Sequence, residues 1–225
     1  NQPTHISHVI LACDNNKYYY EFYSIVRKYW LGMHIQPVLI FVGTELPDML
    51  KKYQNEITLF NPLLNIPPGS QAQCIRSLYP ALLPVETFVI ISDIDILPLS
   101  PSYFHRNSNH PSDSFIVYRN VIEEHSQYPM CYCAATPKIR KEIFGVNSVS
   151  DIQTTLNSWF PNKESWIVDK QSCHWARDQL ELYSMVKKWG KNIVIVKDDT
   201  FSRLDRDEIP TKPIHEYTDY HMPRP

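Results

Sequence analysis

Asp93 and Asp95 are the residues whose type and spacing most directly suggest chemistry. They stand two positions apart at the end of the apolar run Phe88-Val-Ile-Ile91. Side chains two apart on an extended chain leave the same face. Carboxylates that close repel each other unless a cation lies between them. Mg²⁺ or Mn²⁺, hard ions that usually carry a substrate phosphate, suit such oxygen ligands. The plain alternative is that the pair caps a strand and solvates the turn enforced by Pro98 and Pro101. An Asp-x-Asp alone is common by chance, but one closing a hydrophobic strand in mid-chain is far more specific.

The run before the pair is too short for a helix and rich in β-branched residues. It reads as a central strand covered on both faces. In an open α/β sheet the ligand crevice lies at the carboxyl ends of the strands, which aims both carboxylates into a cleft. The preceding chain supplies the sheet. His8–Asp14 is a first strand, and Asn15 or Asn16 can cap a helix over Lys17–Leu31 that Gly32 stops. Strands follow at Gln36–Gly43 and Glu56–Phe60, with a short helix over Asp48–Tyr53 between them. A proline-rich loop, Asn61–Gly69, precedes a helix over Gln71–Leu83 capped by Ser70. This β-α-β-α-β-α-β alternation predicts a parallel sheet with right-handed crossovers.

The second half is less regular. Strands are expected at Ser114–Tyr118, Met130–Ala135 and Ile193–Val196, and helices at Pro137–Phe144, Val149–Trp159 and from near Ala176 to Gly190. The stretch from Asp198 onward is polar and proline-rich.

With these elements in place, Ile90-Ile-Ser-Asp-Ile-Asp-Ile-Leu-Pro98 resembles the Asp-x-Asp segment of GT-A glycosyltransferases, which use nucleotide sugars. The resemblance implies a GT-A fold, a Rossmann-like, mainly parallel sheet flanked by helices, over residues 1–225 as one domain. Its nucleotide-binding half would cover about 1–100 and its acceptor-side half about 101–225. It implies transfer of a sugar from a UDP-sugar donor to a glycan or glycoprotein, with Mn²⁺ or Mg²⁺ as cofactor.

Residue by residue, the resemblance implies the following. Ala12, Cys13 and Asp14, ending the first strand, would hold the nucleoside. Tyr18 would stack on the base, although Tyr18, Tyr19 and Tyr20 equally suit a helix face. Arg76 would lie near the base or diphosphate; a cation beside an apolar helix face otherwise lies along the surface. Asp95 would bind the metal, Asp93 the ribose, the metal or both, and the Ile94 backbone would lie against the ribose. A late histidine folding back to the diphosphate matches His221, with His215 as competitor. In Trp175-Ala-Arg-Asp178-Gln179, Asp178 is the candidate base and Gln179 a donor contact. The plain alternative is an acid at a helix start that only favours the helix dipole. Tyr132, His174 and Trp175 would wall the acceptor site, or belong to the core. Arg203 and Arg206 would reach phosphate, or pair with Asp205 on the surface.

The Tyr-Tyr-Glu-Phe stretch after strand one and the compact form also resemble the glycosyltransferase domains with which chloroviruses decorate their capsid proteins. That would put the protein in the host cytoplasm.

Composition fits this reading. The net charge of −2 gives no basic surface for nucleic acid, and no apolar stretch approaches a membrane span. The chain opens on Asn1 and closes on Met222-Pro-Arg-Pro225, which reads as one domain of a longer protein. The cysteines, Cys13, Cys74, Cys131, Cys133 and Cys173, have no zinc-site spacing and read as buried thiols of a reducing, cytoplasmic compartment.

Two enzyme classes and one binding class compete. A sugar-1-phosphate nucleotidyltransferase needs a Gly-rich loop after strand one, and Cys13-Asp-Asn-Asn-Lys-Tyr has no glycine. A haloacid-dehalogenase-like phosphohydrolase also uses Asp-x-Asp, and Lys197-Asp-Asp199 offers a later acidic pair. That family, however, puts its Asp-x-Asp on the first core strand. A non-catalytic nucleotide-sugar-binding module would not need the complete carboxylate pair with its late histidine.

Overall fold

The computed structural model describes residues 3–106, 108–161, 176–196 and 201–224. Its centre is a seven-stranded sheet. In chain order the elements of the first half are β1 (Ile6–Asp14), α1 (Lys17–Tyr20), α2 (Tyr23–Gly32), β2 (Gln36–Val42), α3 (Asp48–Lys51), β3 (Ile57–Phe60), α4 (Pro68–Leu78) and β4 (Phe88–Ile91). Then come β5 (Ile96–Pro98), α5 (Pro101–Arg106), β6 (Phe115–Val117), β7 (Cys133–Ala135), α6 (Pro137–Phe144), α7 (Val149–Trp159), α8 (Arg177–Trp189), β8 (Ile193–Ile195), β9 (Arg203–Leu204) and β10 (Asp219–His221).

The order across the large sheet is β8-β6-β7-β4-β1-β2-β3. β1 pairs parallel with both β2 and β4, and β3 runs parallel to β2. Only β7 runs against the rest, antiparallel to β4 and β6. The chain winds outward from β1 to β3, then returns to lay β4 on the other side of β1. That reversal opens a crevice past the ends of β1 and β4.

β4 behaves as its sequence predicts: Phe88, Val89, Ile90 and Ile91 are all 0% exposed. Alternate residues go to opposite faces. Val89 and Ile91 pack with Ile75, Leu78, Ile139 and Leu182 on one side. Phe88 and Ile90 pack with Tyr23, Val26 and Trp30 on the other.

Helix starts follow their caps. Asn16 accepts from Tyr18 N at 3.1 Å, Thr136 from Ile139 N at 3.4 Å and Ser148 from Asp151 N at 3.2 Å. Gly145 and Gly190 end α6 and α8 at φ of +68° and +62°, a backbone region that favours glycine.

Three expectations shift. The first helix is two pieces, α1 and α2, interrupted at Glu21-Phe22. α4 begins at Pro68, because proline suits a first helical turn, and gives way to a 3-10 turn over Tyr79–Leu82 around Pro80. Met130–Ala135 forms strand only over Cys133–Ala135.

The polar end of the chain holds more structure than its composition suggests. β10 pairs antiparallel with β5, setting His221 opposite Ile96, and β9 pairs parallel with β10. The Met222 N–H donates to the Asp95 carbonyl at 2.9 Å. This small sheet is pinned beneath by Asp219, whose carboxylate is fully buried. It accepts two hydrogen bonds from Arg203, at 2.8 and 2.6 Å, and one from the Tyr132 hydroxyl at 2.6 Å.

Among the described residues no helix is long and apolar enough to cross a membrane. Cys13, Cys74, Cys131 and Cys133 are buried and unpaired with one another, as expected of core thiols; Cys173 lies outside the described residues.

Candidate functional site

A cleft of about 900 Å³ lies at the ends of β1 and β4. Ala12, Cys13, Asp14, Arg76, Asp93, Ile94, Asp95, Asp178, Gln179 and His221 all line it. Residues spread over most of the sequence therefore meet in one hollow. The end of β1 supplies the first three, the turn after β4 the Asp-x-Asp segment, α4 Arg76, the start of α8 Asp178 and Gln179, and β10 His221.

The two carboxylates of the pair do not share one environment. Asp93 turns to Arg76, whose Nη1 donates to its carboxylate. The same guanidinium donates from Nη2 to Asp178 at 3.2 Å and from Nη1 to the Ser92 carbonyl at 3.2 Å. Arg76 is 5% exposed, so burial opposes its charge, and Asp93 and Asp178 outweigh that opposition. Arg76 thus ties the end of β4 to the start of α8. Its role here is to hold two carboxylates rather than to lie along the surface.

Asp178 is 3% exposed. Its Oδ2 faces Arg76, and its Oδ1 accepts from the Gln179 N–H at 2.9 Å. Burial pushes its carboxyl up to about 6, with Arg76 opposing the push and the Asp93 charge adding to it. An acid in that range is poised near neutrality for proton transfer.

Asp95 belongs to the returning chain. Its Oδ2 accepts from Arg206 Nη2 at 3.2 Å and from Arg224 Nε at 3.0 Å, and His221 Nε2 lies 3.4 Å away. Burial alone would raise this carboxyl, but His221 and Arg224 outweigh it and bring it to about 2. His221 Nδ1 meets Asp205 Oδ1 at 2.7 Å. A carboxylate at Nδ1 fixes the ring and leaves Nε2 turned to Asp95, the orientation a metal-ligating histidine needs. Arg206 also reaches Nε2.

A carboxylate oxygen and an imidazole nitrogen 3.4 Å apart span the edge of a coordination sphere whose bonds are about 2.0–2.2 Å. Two guanidinium groups, from Arg206 and Arg224, already bring positive charge to that edge. Among the described residues no cluster of three or more His, Cys, Asp or Glu is close enough to hold a metal by itself. Asp95 and His221 thus offer two donors, and an ion held there would have to draw the rest of its shell from water or from a substrate.

Several expected residues lie elsewhere. Tyr18 is 53% exposed and does not line the cleft; Tyr19, one position on, does. Asn16 caps α1 at that point, and the rotation of the first turn carries Tyr19 inward. Tyr132 is 0% exposed, its hydroxyl spent on Asp219, so it is core and not an acceptor wall. His215 stands exposed on a 3-10 turn over Ile214–Glu216, away from the cleft. Arg203, Asp205 and Arg206 do not pair with each other; they hold Asp219, His221 and Asp95. His174, Trp175 and the pair Asp198-Asp199 lie outside the described residues.

The cleft also holds residues not anticipated. Arg224 packs over the Tyr19 ring at 4.8 Å while bonding Asp95. Arg119 lines the cleft just past β6. The rule that singled out Asp93, polar side chains at the carboxyl end of a strand, points to Arg119 as well.

No family model matches the chain, and no curated protein matches it by sequence. Solved structures do. The galactosyltransferase LgtC, in complex with donor and acceptor sugar analogues, superposes with a TM-score of 0.50 at 10% identity, over 96% of this chain and 86% of that one. GlyE, a glycosyltransferase of Streptococcus pneumoniae TIGR4, matches at a TM-score of 0.46 and 12% identity, over 86% of this chain and 46% of that one. A Drosophila β-1,4-galactosyltransferase 7 mutant, complexed with manganese, UDP-Gal and xylobiose, matches at 0.43 and 8%, over 86% and 66%. The last two are too distant to carry an argument. The likeness to LgtC establishes the architecture: a mixed α/β sheet of the GT-A glycosyltransferase type.

Proposed function

We propose that the protein is a metal-dependent glycosyltransferase that moves a sugar from a UDP-sugar to a glycan or glycoprotein acceptor. The observation that carries this reading is the meeting of Asp95 and His221 in the crevice past β1 and β4, on a GT-A framework. Asp95 and His221 would hold Mn²⁺ or Mg²⁺. The bound ion would supply Lewis-acid neutralisation of the diphosphate as it leaves.

The chain's own residues do the rest. The ends of β1 and β4, through Ala12, Cys13, Asp14 and Ile94, cradle the nucleoside, with Tyr19 as the ring available for stacking on the base. Arg206 and Arg224 bring further positive charge to the diphosphate. Asp93, paired with Arg76, would face the ribose or the ion. Asp178, with its carboxyl raised towards neutrality, accepts the acceptor's proton once it turns from Arg76, and Gln179 beside it faces the donor sugar.

A phosphohydrolase reading fits less well, because the Asp-x-Asp follows the fourth strand in sequence and not the first. The direct test is turnover of a panel of UDP-sugars, as transfer or slow hydrolysis, with Mn²⁺ and with chelator. Metal-dependent release of UDP is expected. A phospho-enzyme trapped at Asp93, or no nucleotide binding under any condition, would overturn the reading.

A further inference from the structure

Arg119 is the one cleft arginine that no carboxylate of the described residues neutralises. Arg76 holds Asp93 and Asp178, and Arg224, with Arg206, holds Asp95. Arg119 instead lies with its guanidinium over the Phe201 ring, 5.1 Å from the centroid. Its Nε is buried and has no hydrogen-bond partner. A half-buried cation in this state lacks the acceptor that normally offsets its loss of water. The ring contact helps hold the guanidinium in place, and since Arg119 lines the cleft its fork of donors is at hand for a planar anion there.

Strand register says which part of a substrate it meets. Val117 stands opposite Cys133, and Cys133 opposite Ile91. Arg119 and Asp93 are thus each two residues beyond the same row, on strands separated only by β7. Two strand spacings put their backbones about 10 Å apart. Arg119 therefore stands on the side of Asp93 away from β1, the strand whose end would hold the nucleoside. It faces what extends past the diphosphate, which is sugar. Val121 and Ile122 line the same wall, and Val121 is 55% exposed, an aliphatic ledge against which the C–H face of a pyranose can lie.

We propose that Arg119 receives the carboxylate of a uronic acid unit seated on Val121 and Ile122, so that one sugar handled in this cleft is anionic. This rests on the glycosyltransferase reading above. The carboxylate can belong to the donor sugar or to the acceptor, and the two arms of the test separate them.

The first arm compares UDP-glucuronate with UDP-glucose by calorimetry in Mn²⁺. The second compares methyl glucuronide with methyl glucoside in the presence of UDP and Mn²⁺. Each is run on the wild type, Arg119→Gln and Arg119→Lys, with melting temperatures to verify folding. In one arm the wild type is expected to bind the acidic sugar about tenfold or more tightly than its neutral twin, a gap of about 1.4 kcal/mol. Arg119→Gln should bring that ratio to about one, and Arg119→Lys, which keeps the charge without the fork, should keep part of it. A ratio near one in both arms of the wild type overturns the proposal, as does an acidic preference that survives in Arg119→Gln. If UDP with Mn²⁺ does not bind at all, the parent reading falls and takes this one with it. If UDP binds and no acidic preference appears, only this one falls.

Discussion

The sheet strands β1 to β4 and the returning chain of β9 and β10 meet at the same cleft but are held there by different forces. The first region is fixed by apolar burial: long parallel ladders with Val9, Ile10, Leu39, Ile40, Val89 and Ile90 all 0% exposed. The second is fixed by charge. Arg203 and Tyr132 clamp Asp219, Asp205 holds His221, and Arg206 and Arg224 converge on Asp95. The side of the cleft at the ends of β1 and β4 is thus built on a tightly packed frame. The side formed by the returning chain is built on ion pairs.

The sharpest way to break this comparison is Asp95→Ala, which removes the charge that both the proposed ion and the returning chain use. Turnover is expected to fall by about three orders of magnitude, since Lewis-acid stabilisation is worth several kcal/mol and each 1.36 kcal/mol is tenfold. Hydrogen exchange should rise over residues 203–224 and stay low in β1 and β4. Near-normal turnover in Asp95→Ala would remove the metal from the proposal altogether.

Next comes Asp219→Ala, which strands Arg203 without its buried partner. Breaking such a pair costs about 3–5 kcal/mol. Urea unfolding measures the loss, and exchange data show whether it is confined to the small sheet, as the comparison requires, or spreads to the large one.

Asp178→Asn bears on chemistry rather than on either frame. A drop in kcat of about 10²-fold is expected of a lost general base, with UDP affinity nearly unchanged. The pH profile gives the sign. The carboxyl must be deprotonated to act and its value is raised to about 6, so kcat should fall as pH drops through about 6 and level off above it. A profile flat from pH 5 to 8 would leave Asp178 only its hold on Arg76.

The smallest effect separates neighbours. Tyr19→Ala should weaken UDP binding by about 1–3 kcal/mol, the usual worth of a base on an aromatic ring. Tyr18→Ala, at an exposed position, should leave it alone. Titration of UDP into both variants decides between them.

The same contrast explains what the sequence disclosed. Apolar runs and caps mark β1 to β4 and α4 because burial and helix termination are local properties; hence Phe88–Ile91 and Asp93 were legible at once. His221 was legible only through resemblance, and its support was not. Nothing local in Tyr220 or Asp219 announces a strand, since the pairing partners Leu97 and Pro98 lie in another part of the chain. Tyr18 and Tyr19 could not be told apart because both suit a helix and only the Asn16 cap sets the rotation. Tyr132 reads as a sugar platform until Asp219 is found beneath it. Long-range ion pairs leave no periodic trace, so the half of the cleft built from them was the half least foreseen.

The pairing of β10 with β5 has a consequence in time. Contacts between stretches so distant along the chain close large loops, and that entropy delays them relative to the local windings of the first hundred residues. The side of the cleft carrying His221 therefore depends on the longest closure made by any strand pair of the described residues, Ile96 with His221, and its pairing is the one most exposed to any loosening of the chain between them.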